Sequence, residues 1–126
     1  MTQKILIVDD EAHIRRLIER TLMDLEDRDV ELLTADNGQD ALDMIMEEKP
    51  HLVFLDVMMP KMNGFDVCYA VKREHQMTDV YIVMLTAKGQ EFDKQRGEEV
   101  GANIYTTKPF DPDQLLKMAT TVLGLS

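Results

Sequence analysis

Residues 51–56 read His51-Leu52-Val53-Phe54-Leu55-Asp56, and residues 4–10 read Lys4-Ile5-Leu6-Ile7-Val8-Asp9-Asp10. Each is an apolar run of strand length that stops on carboxylates. A strand with one face in water alternates apolar and polar side chains, whereas a strand covered on both faces does not, so both runs call for a sheet enclosed between two layers. Val80 to Leu85 repeats the pattern, and Val30 to Ala35 and Asn103 to Thr107 complete five strand candidates. Helical periodicity fills the gaps. Ile14, Leu17, Ile18, Thr21, Leu22 and Leu25 recur at three- and four-residue intervals, with Arg15, Arg16, Glu19 and Arg20 on the other face. After Asn37-Gly38, a second helix turns Ala41, Leu42, Ile45 and Met46 inward and stops at Pro50. Pro60 to Gly64 punctuate a loop before a third helix through about Glu74, a fourth spans Gly89 to Val100, and a fifth runs from about Asp111 to Leu123.

Apolar strands alternating with helices predict a parallel sheet with helices on both faces, because each right-handed crossover lays its helix back on the sheet. The expected class is a doubly wound α/β fold of five strands and five helices. With 126 residues the chain fits one domain, 1–126, at the usual ~100 to 200 residues per domain. Its 44% hydrophobic and 30% charged residues are ordinary globular proportions. The net charge of −10 repels phosphate backbones and anionic lipid, so nucleic acid and membrane are not expected partners. A single cysteine, Cys68, excludes an internal disulfide framework and a thiolate zinc cluster. No stretch of ~20 apolar residues and no leader-like core is present, so a cytoplasmic location is expected.

In open parallel sheets, ligands bind beyond the carboxyl ends of the strands where strand order reverses. Four of the five strand candidates end in side chains suited to a site: Asp9-Asp10, Asp56, Thr86 and Lys108. Each has an alternative reading. Asp9 or Asp10 can cap the following helix, Asp56 can simply end its strand, and Thr86 suits a strand on propensity alone. Taken together they converge on one rim. Three carboxylates there repel one another, two like charges ~4 Å apart by about 4 kcal/mol at an effective dielectric of 20, so the rim calls for a small hard cation, magnesium by ligand chemistry.

The blocks Ile7-Val8-Asp9-Asp10-Glu11, Leu55-Asp56-Val57-Met58-Met59-Pro60 with Gly64, Leu85-Thr86-Ala87 and Tyr105-Thr106-Thr107-Lys108-Pro109-Phe110, in this order, resemble a response-regulator receiver domain of the CheY-like kind. The resemblance spans essentially the whole chain. It implies a flavodoxin-like sheet of order 2-1-3-4-5 and a two-component signalling switch. Asp56 would be the acceptor of a phosphoryl group from a sensor histidine kinase or phosphotransfer protein. Asp9, Asp10, Asp56 and the backbone carbonyl of Met58 would hold Mg2+. Thr86 would bind a phosphoryl oxygen, Lys108 would pair with the phosphoryl group, Tyr105 would be the switch aromatic, and the Lys108-Pro109 bond would be cis. The partner on the output side would be another domain or a target protein.

The chemistry is coherent by itself: a metal, a hydroxyl and an ammonium around one carboxylate suffice for in-line phosphoryl transfer, with Asp56 taken as ionised near neutral pH. The segment Gly89 to Val100 is expected to be the least stable helix and the moving element, because it holds two glycines and only Phe92 and Val100 as sizeable apolar residues. The positions that tune phosphoryl lifetime in this family are here Met58 and Lys88. Met58 cannot orient an attacking water, so self-hydrolysis is expected to be slow. Cys68, with Phe65 and Val71, is expected in the core, and His13, His51 and His75 lack ligand spacing. A haloacid-dehalogenase-type phosphohydrolase is the enzymatic alternative, but its second aspartate, two residues after the nucleophile, is replaced by Met58. A flavin carrier would need glycines and hydroxyls where this chain has Asp9-Asp10-Glu11. A receiver that binds partners without phosphorylation is the third alternative.

Overall fold

The computed structural model describes residues 2–59, 61–87, 99–108 and 110–125. Five strands, β1 (Gln3–Val8), β2 (Val30–Ala35), β3 (Leu52–Asp56), β4 (Tyr81–Ala87) and β5 (Ile104–Lys108), form one parallel sheet in the order β2-β1-β3-β4-β5. The described residues also hold four helices: α1 (Ala12–Leu22), α2 (Gly38–Glu48), α3 (Gly64–Tyr69) and α4 (Pro112–Val122). The remaining helix of the five expected falls mainly on residues 88–98, outside the described residues, as do Lys88 and the peptide bond to Pro109.

The unbroken apolar runs are sorted by strand pleat into two cores. Leu6, Val8, Val53, Leu55, Ile82 and Met84 face Ala41 and Ile45 of α2 and Val67 and Cys68 of α3. Their neighbours Ile5, Ile7, Leu52, Phe54, Val83 and Leu85 face Ile18 and Leu22 of α1 and Leu115 and Ala119 of α4. Successive side chains of each inner strand thus enter opposite cores, which is why the sequence shows no polar alternation there.

Two inward assignments are corrected. Leu17 is 44% exposed and Met46 37% exposed. Each stands one residue from a fully buried position, Ile18 and Ile45, and one residue turns the side chain about 100° around a helix, off the buried stripe. Helix ends differ as well. α1 passes into a 3-10 turn over Met23–Arg28 that closes at Asp29 with φ 61°. α3 passes into a π turn over Ala70–Glu74, with the His75 N–H donating to the Ala70 carbonyl at 2.9 Å.

Strand ends are corrected where they matter most. Asp56 is the last residue of β3, as expected, while β4 and β5 run past Leu85 and Thr107 to include Thr86 and Lys108. These side chains are therefore carried by the ladder, with Asp56 opposite Leu85 and Thr86 opposite Thr107. A side chain rooted in a sheet is held more tightly than one on a loop.

Candidate functional site

β1 and β3 are neighbours, and Val8 pairs with Leu55, so the next residues along, Asp9 and Asp56, lie side by side at the carboxyl rim where the strand order reverses. Asp9, Asp10 and Asp56 each place a carboxylate oxygen so that these atoms lie within 4.8 Å of one another. Asp9 and Asp56 are buried and Asp10 is exposed. Lys108, brought from β5, sets its Nζ 2.9 Å from Asp9 Oδ2, 3.4 Å from Asp56 Oδ1 and 3.8 Å from Glu11 Oε1. The ammonium is thus the counter-charge between the two buried carboxylates.

The two roles weighed for the acidic pair separate by residue. Asp9 Oδ1 accepts the Glu11 N–H at 2.9 Å, a local turn bond at the mouth of α1, while Oδ2 accepts from Lys108. Glu11, at the helix cap position, makes no side-chain cap bond. Thr86 is 2% exposed, and its hydroxyl donates to the Thr106 carbonyl at a long 3.4 Å. Met58 donates its N–H to Asp56 Oδ1, also at 3.4 Å, and its side chain is 59% exposed. Tyr105 stands opposite Met84 on β5, half-exposed. The structure therefore gathers Asp9, Asp10, Asp56 and Lys108 at one point, and it sets Thr86 at the same rim, hydrogen-bonded toward β5.

Burial drives the Asp56 carboxyl up from 3.8 to about 7; the Asp9 charge adds to the rise and Lys108 opposes it. This corrects the reading of Asp56 as ionised near neutral pH: without a cation it titrates near pH 7. Lys108 is held above its usual range, since burial, which would lower it, is outweighed by its bonds to Asp9 and the charges of Asp56 and Asp9. The Asp56 proton stabilises the folded state in a definite window. Above the unfolded-chain value near 4, the folded protein keeps a proton that the unfolded chain has released, so stability falls as pH rises toward about 7 and is flat beyond. Measured by urea unfolding without metal, wild type should therefore lose stability relative to Asp56→Asn across that window. A pH-independent difference would show that Asp56 is not so perturbed.

The described residues satisfy the chemistry of a hard divalent cation: three carboxylates, two of them buried, with the carboxyl of Asp56 pushed up by burial and by the Asp9 charge. Sequence reasoning missed Arg15, which it placed on the solvent face. The residue is half-buried, and its Nη1 donates to the Asp9 carbonyl at 2.7 Å. Helical periodicity gives no signal that separates this contact from a solvent-facing arginine. Sequence reasoning also underread Asn37, taken only as a strand breaker; the side chain is buried and caps α2 by accepting the Asp40 N–H at 2.9 Å. Cys68 lies in the core as expected, its Sγ donating to the Val100 carbonyl at 3.4 Å, and burial pushes the thiol up to about 11.

A family model described as the response regulator receiver domain matches residues 5–120. The "Probable transcriptional regulator ycf27" of Porphyra purpurea is 46% identical over 121 residues, which make up 96% of this chain and 47% of that protein. The alkaline phosphatase synthesis transcriptional regulatory protein PhoP of Bacillus subtilis is 42% identical over 126 residues, 100% of this chain and 50% of that protein. The chain thus spans about half the length of these relatives. Among solved structures, the chemotaxis response regulator CheY4 of Vibrio cholerae superposes with a TM-score of 0.82 at 36% identity, covering 97% of this chain and 99% of that one.

Proposed function

The chain belongs to the response regulator receiver family, and from that premise we propose that it is a phosphorylation-operated switch whose acceptor is Asp56. The observation that carries this reading is the meeting of Asp9, Asp10 and Asp56 within 4.8 Å, with the Lys108 ammonium between the two buried members. An Asp56 oxygen attacks the donor phosphorus in line. The bond from phosphorus to the donor's imidazole nitrogen breaks, or to an acetate oxygen with acetyl phosphate, and its electron pair leaves with that group. Asp9, Asp10, Asp56 and the Met58 carbonyl would hold Mg2+, which when bound supplies positive charge against the phosphoryl oxygens.

The chain's own residues do the rest. Lys108, freed from the carboxylates, pairs with a phosphoryl oxygen, and the Thr86 hydroxyl exchanges its long bond to Thr106 for another. Loss of that bond on the β5 side is what Tyr105, the residue next to Thr106, would sense. Residues 1–126 would form the receiver module, fed by a sensor histidine kinase or phosphotransfer protein and read by an output domain or target protein. Met58 has no group that can orient a hydrolytic water beside Asp56, so the acyl phosphate would be long-lived and the protein regulatory rather than a turnover enzyme. Among the described residues, no helix is long and apolar enough to cross a membrane.

Incubation with acetyl phosphate tests the reading. One phosphoryl group per chain should be taken up, only with Mg2+ present, and it should be released by hydroxylamine as an acyl phosphate is. Uptake that ignores chelation of Mg2+ would overturn it, as would continuous release of inorganic phosphate over many turnovers, the behaviour of a phosphohydrolase.

A further inference from the structure

We propose that Arg15 is a positioning residue for the metal and acceptor site: it grips the carbonyl of Asp9 and so fixes the turn between β1 and α1 from which both members of the acidic pair project. The inference rests on the site reading above. Asp9 is held at every polar atom it has. Its N–H donates to the Ala35 carbonyl at 3.2 Å, its two carboxylate oxygens accept from Glu11 N–H and Lys108 Nζ, and its carbonyl accepts from Arg15 Nη1 at 2.7 Å. The last bond is the shortest of the four. It joins the strand end to a residue six positions on, closing a loop whose interior is Asp10, Glu11 and the first turn of α1.

That closure bears on Asp10. Its side chain is exposed and meets Asp56 at the rim, so the direction of its carboxylate depends on the backbone of the turn and on that contact rather than on packing. Within the turn the Glu11 N–H bonds to Asp9 Oδ1 at 2.9 Å, but Glu11 provides no side-chain cap to the start of α1. Backbone bonds from Ile14 and Arg15 back to the Glu11 carbonyl, both 3.1 Å, begin the helix but do not orient the residues before it. A guanidinium bond to the Asp9 carbonyl does, since a charged donor at this distance is both strong and directional.

The surroundings of Arg15 argue that geometry, and not charge alone, is its role. It lines a groove of about 280 Å³ with Thr34, Asp36, Asp40 and Met44. Both aspartates are nearby anions, yet they accept from Asn37 Nδ2 at 2.8 and 2.9 Å, while the guanidinium bonds to a main-chain oxygen. A residue kept only to offset negative charge would gain most by pairing with a carboxylate.

The two roles predict opposite signs. If Arg15 acted through charge, removing it would take a cation away from the approach of Mg2+ and tighten metal binding. If it positions the turn, removing its donor slackens the acidic pair and weakens binding, while a replacement that still donates preserves it. Titration calorimetry of MgCl2 into metal-free protein reads this without phosphoryl transfer. Arg15→Met should weaken Mg2+ binding roughly fivefold to tenfold. Arg15→Lys should stay near wild type, and Arg15→Gln should fall between, although it too lacks the charge. Amide exchange at Asp10 and Glu11 should quicken in Arg15→Met alone. Unchanged or tighter Mg2+ binding by Arg15→Met, or tighter binding by Arg15→Gln, each with a native circular dichroism spectrum, would overturn the assignment and leave the site reading intact. Failure of wild type to bind Mg2+ would overturn both.

Discussion

Asp56→Asn should take up no phosphoryl group from acetyl phosphate under conditions that label wild type, and yet be the more stable protein without metal above pH 7. The first result follows from chemistry: an amide oxygen is not a nucleophile of carboxylate strength, and no other carboxylate at the rim combines burial on β3 with contact to Lys108. The second follows from electrostatics. Burial and the Asp9 charge push the Asp56 carboxyl up to about 7, so above that pH wild type must hold an ionised group that its surroundings disfavour. Asparagine keeps the shape and removes the charge. Set against the weakened Lys108 contact at 3.4 Å, the net gain is roughly 1 to 2 kcal/mol at pH 8. Addition of Mg2+ should reverse the ranking, stabilising wild type by mass action and Asp56→Asn far less. Urea unfolding with and without MgCl2, beside a phosphoryl-uptake assay, reads all three. A labelled Asp56→Asn would remove Asp56 as the acceptor. A mutant less stable than wild type in metal-free buffer at pH 8 would show that the buried charge is not under strain.

Gly64→Ala should be the most destabilising small substitution at the site, by about 3 kcal/mol or more. Gly64 opens α3, and its N–H donates to the Val57 carbonyl at 2.8 Å, which draws the helix start onto the end of β3. A methyl group there would collide with the Asp56 carbonyl oxygen and stand 2.9 Å from Val57 Cα and 3.1 Å from the Asp56 carbonyl carbon. These are backbone atoms and cannot rotate away. Elsewhere in a helix, glycine to alanine gains up to about 1 kcal/mol, so the expected sign is the reverse of the propensity rule. At about 4 °C per kcal/mol for a chain of this size, the melting temperature should drop by roughly 12 °C. Because the atoms displaced belong to Asp56 itself, Mg2+ binding should weaken as well in the fraction that folds. A melting temperature within about 2 °C of wild type would mean that α3 shifts freely and the contact constrains nothing.

The outline of the fold was legible because the inner strands are buried on both sides, which leaves runs such as Leu52 to Leu55 with no polar position and makes the layer count readable from composition. The acidic pair, Asp56, Thr86 and Lys108 were legible for the same reason, as polar residues at the ends of apolar runs. Helix faces were less so. Leu17 and Met46 are apolar but sit one step off stripes whose width is set by how closely the helix approaches the sheet, and hydrophobicity carries no information on that distance. Arg15 was unreadable as a functional residue because an arginine on an amphipathic helix has the same pattern whether its guanidinium meets water or the carbonyl of Asp9.

The order of the chain determined by itself that the sheet is parallel and two-sided and that carboxylates, a hydroxyl and an ammonium stand at strand ends, since these follow from local runs and from the handedness of crossovers. What only the tertiary structure decided is which of those groups meet and in what state. Placing β3 beside β1, with Val8 level with Leu55, puts Asp56 against Asp9, and bringing β5 to the far side lets Lys108 reach across to both. The protonation of Asp56 is a property of that meeting: a carboxyl acquires a value near 7 from burial and from charges 47 residues away in sequence at Asp9 and 52 away at Lys108, and neither influence is visible in the residues that flank it.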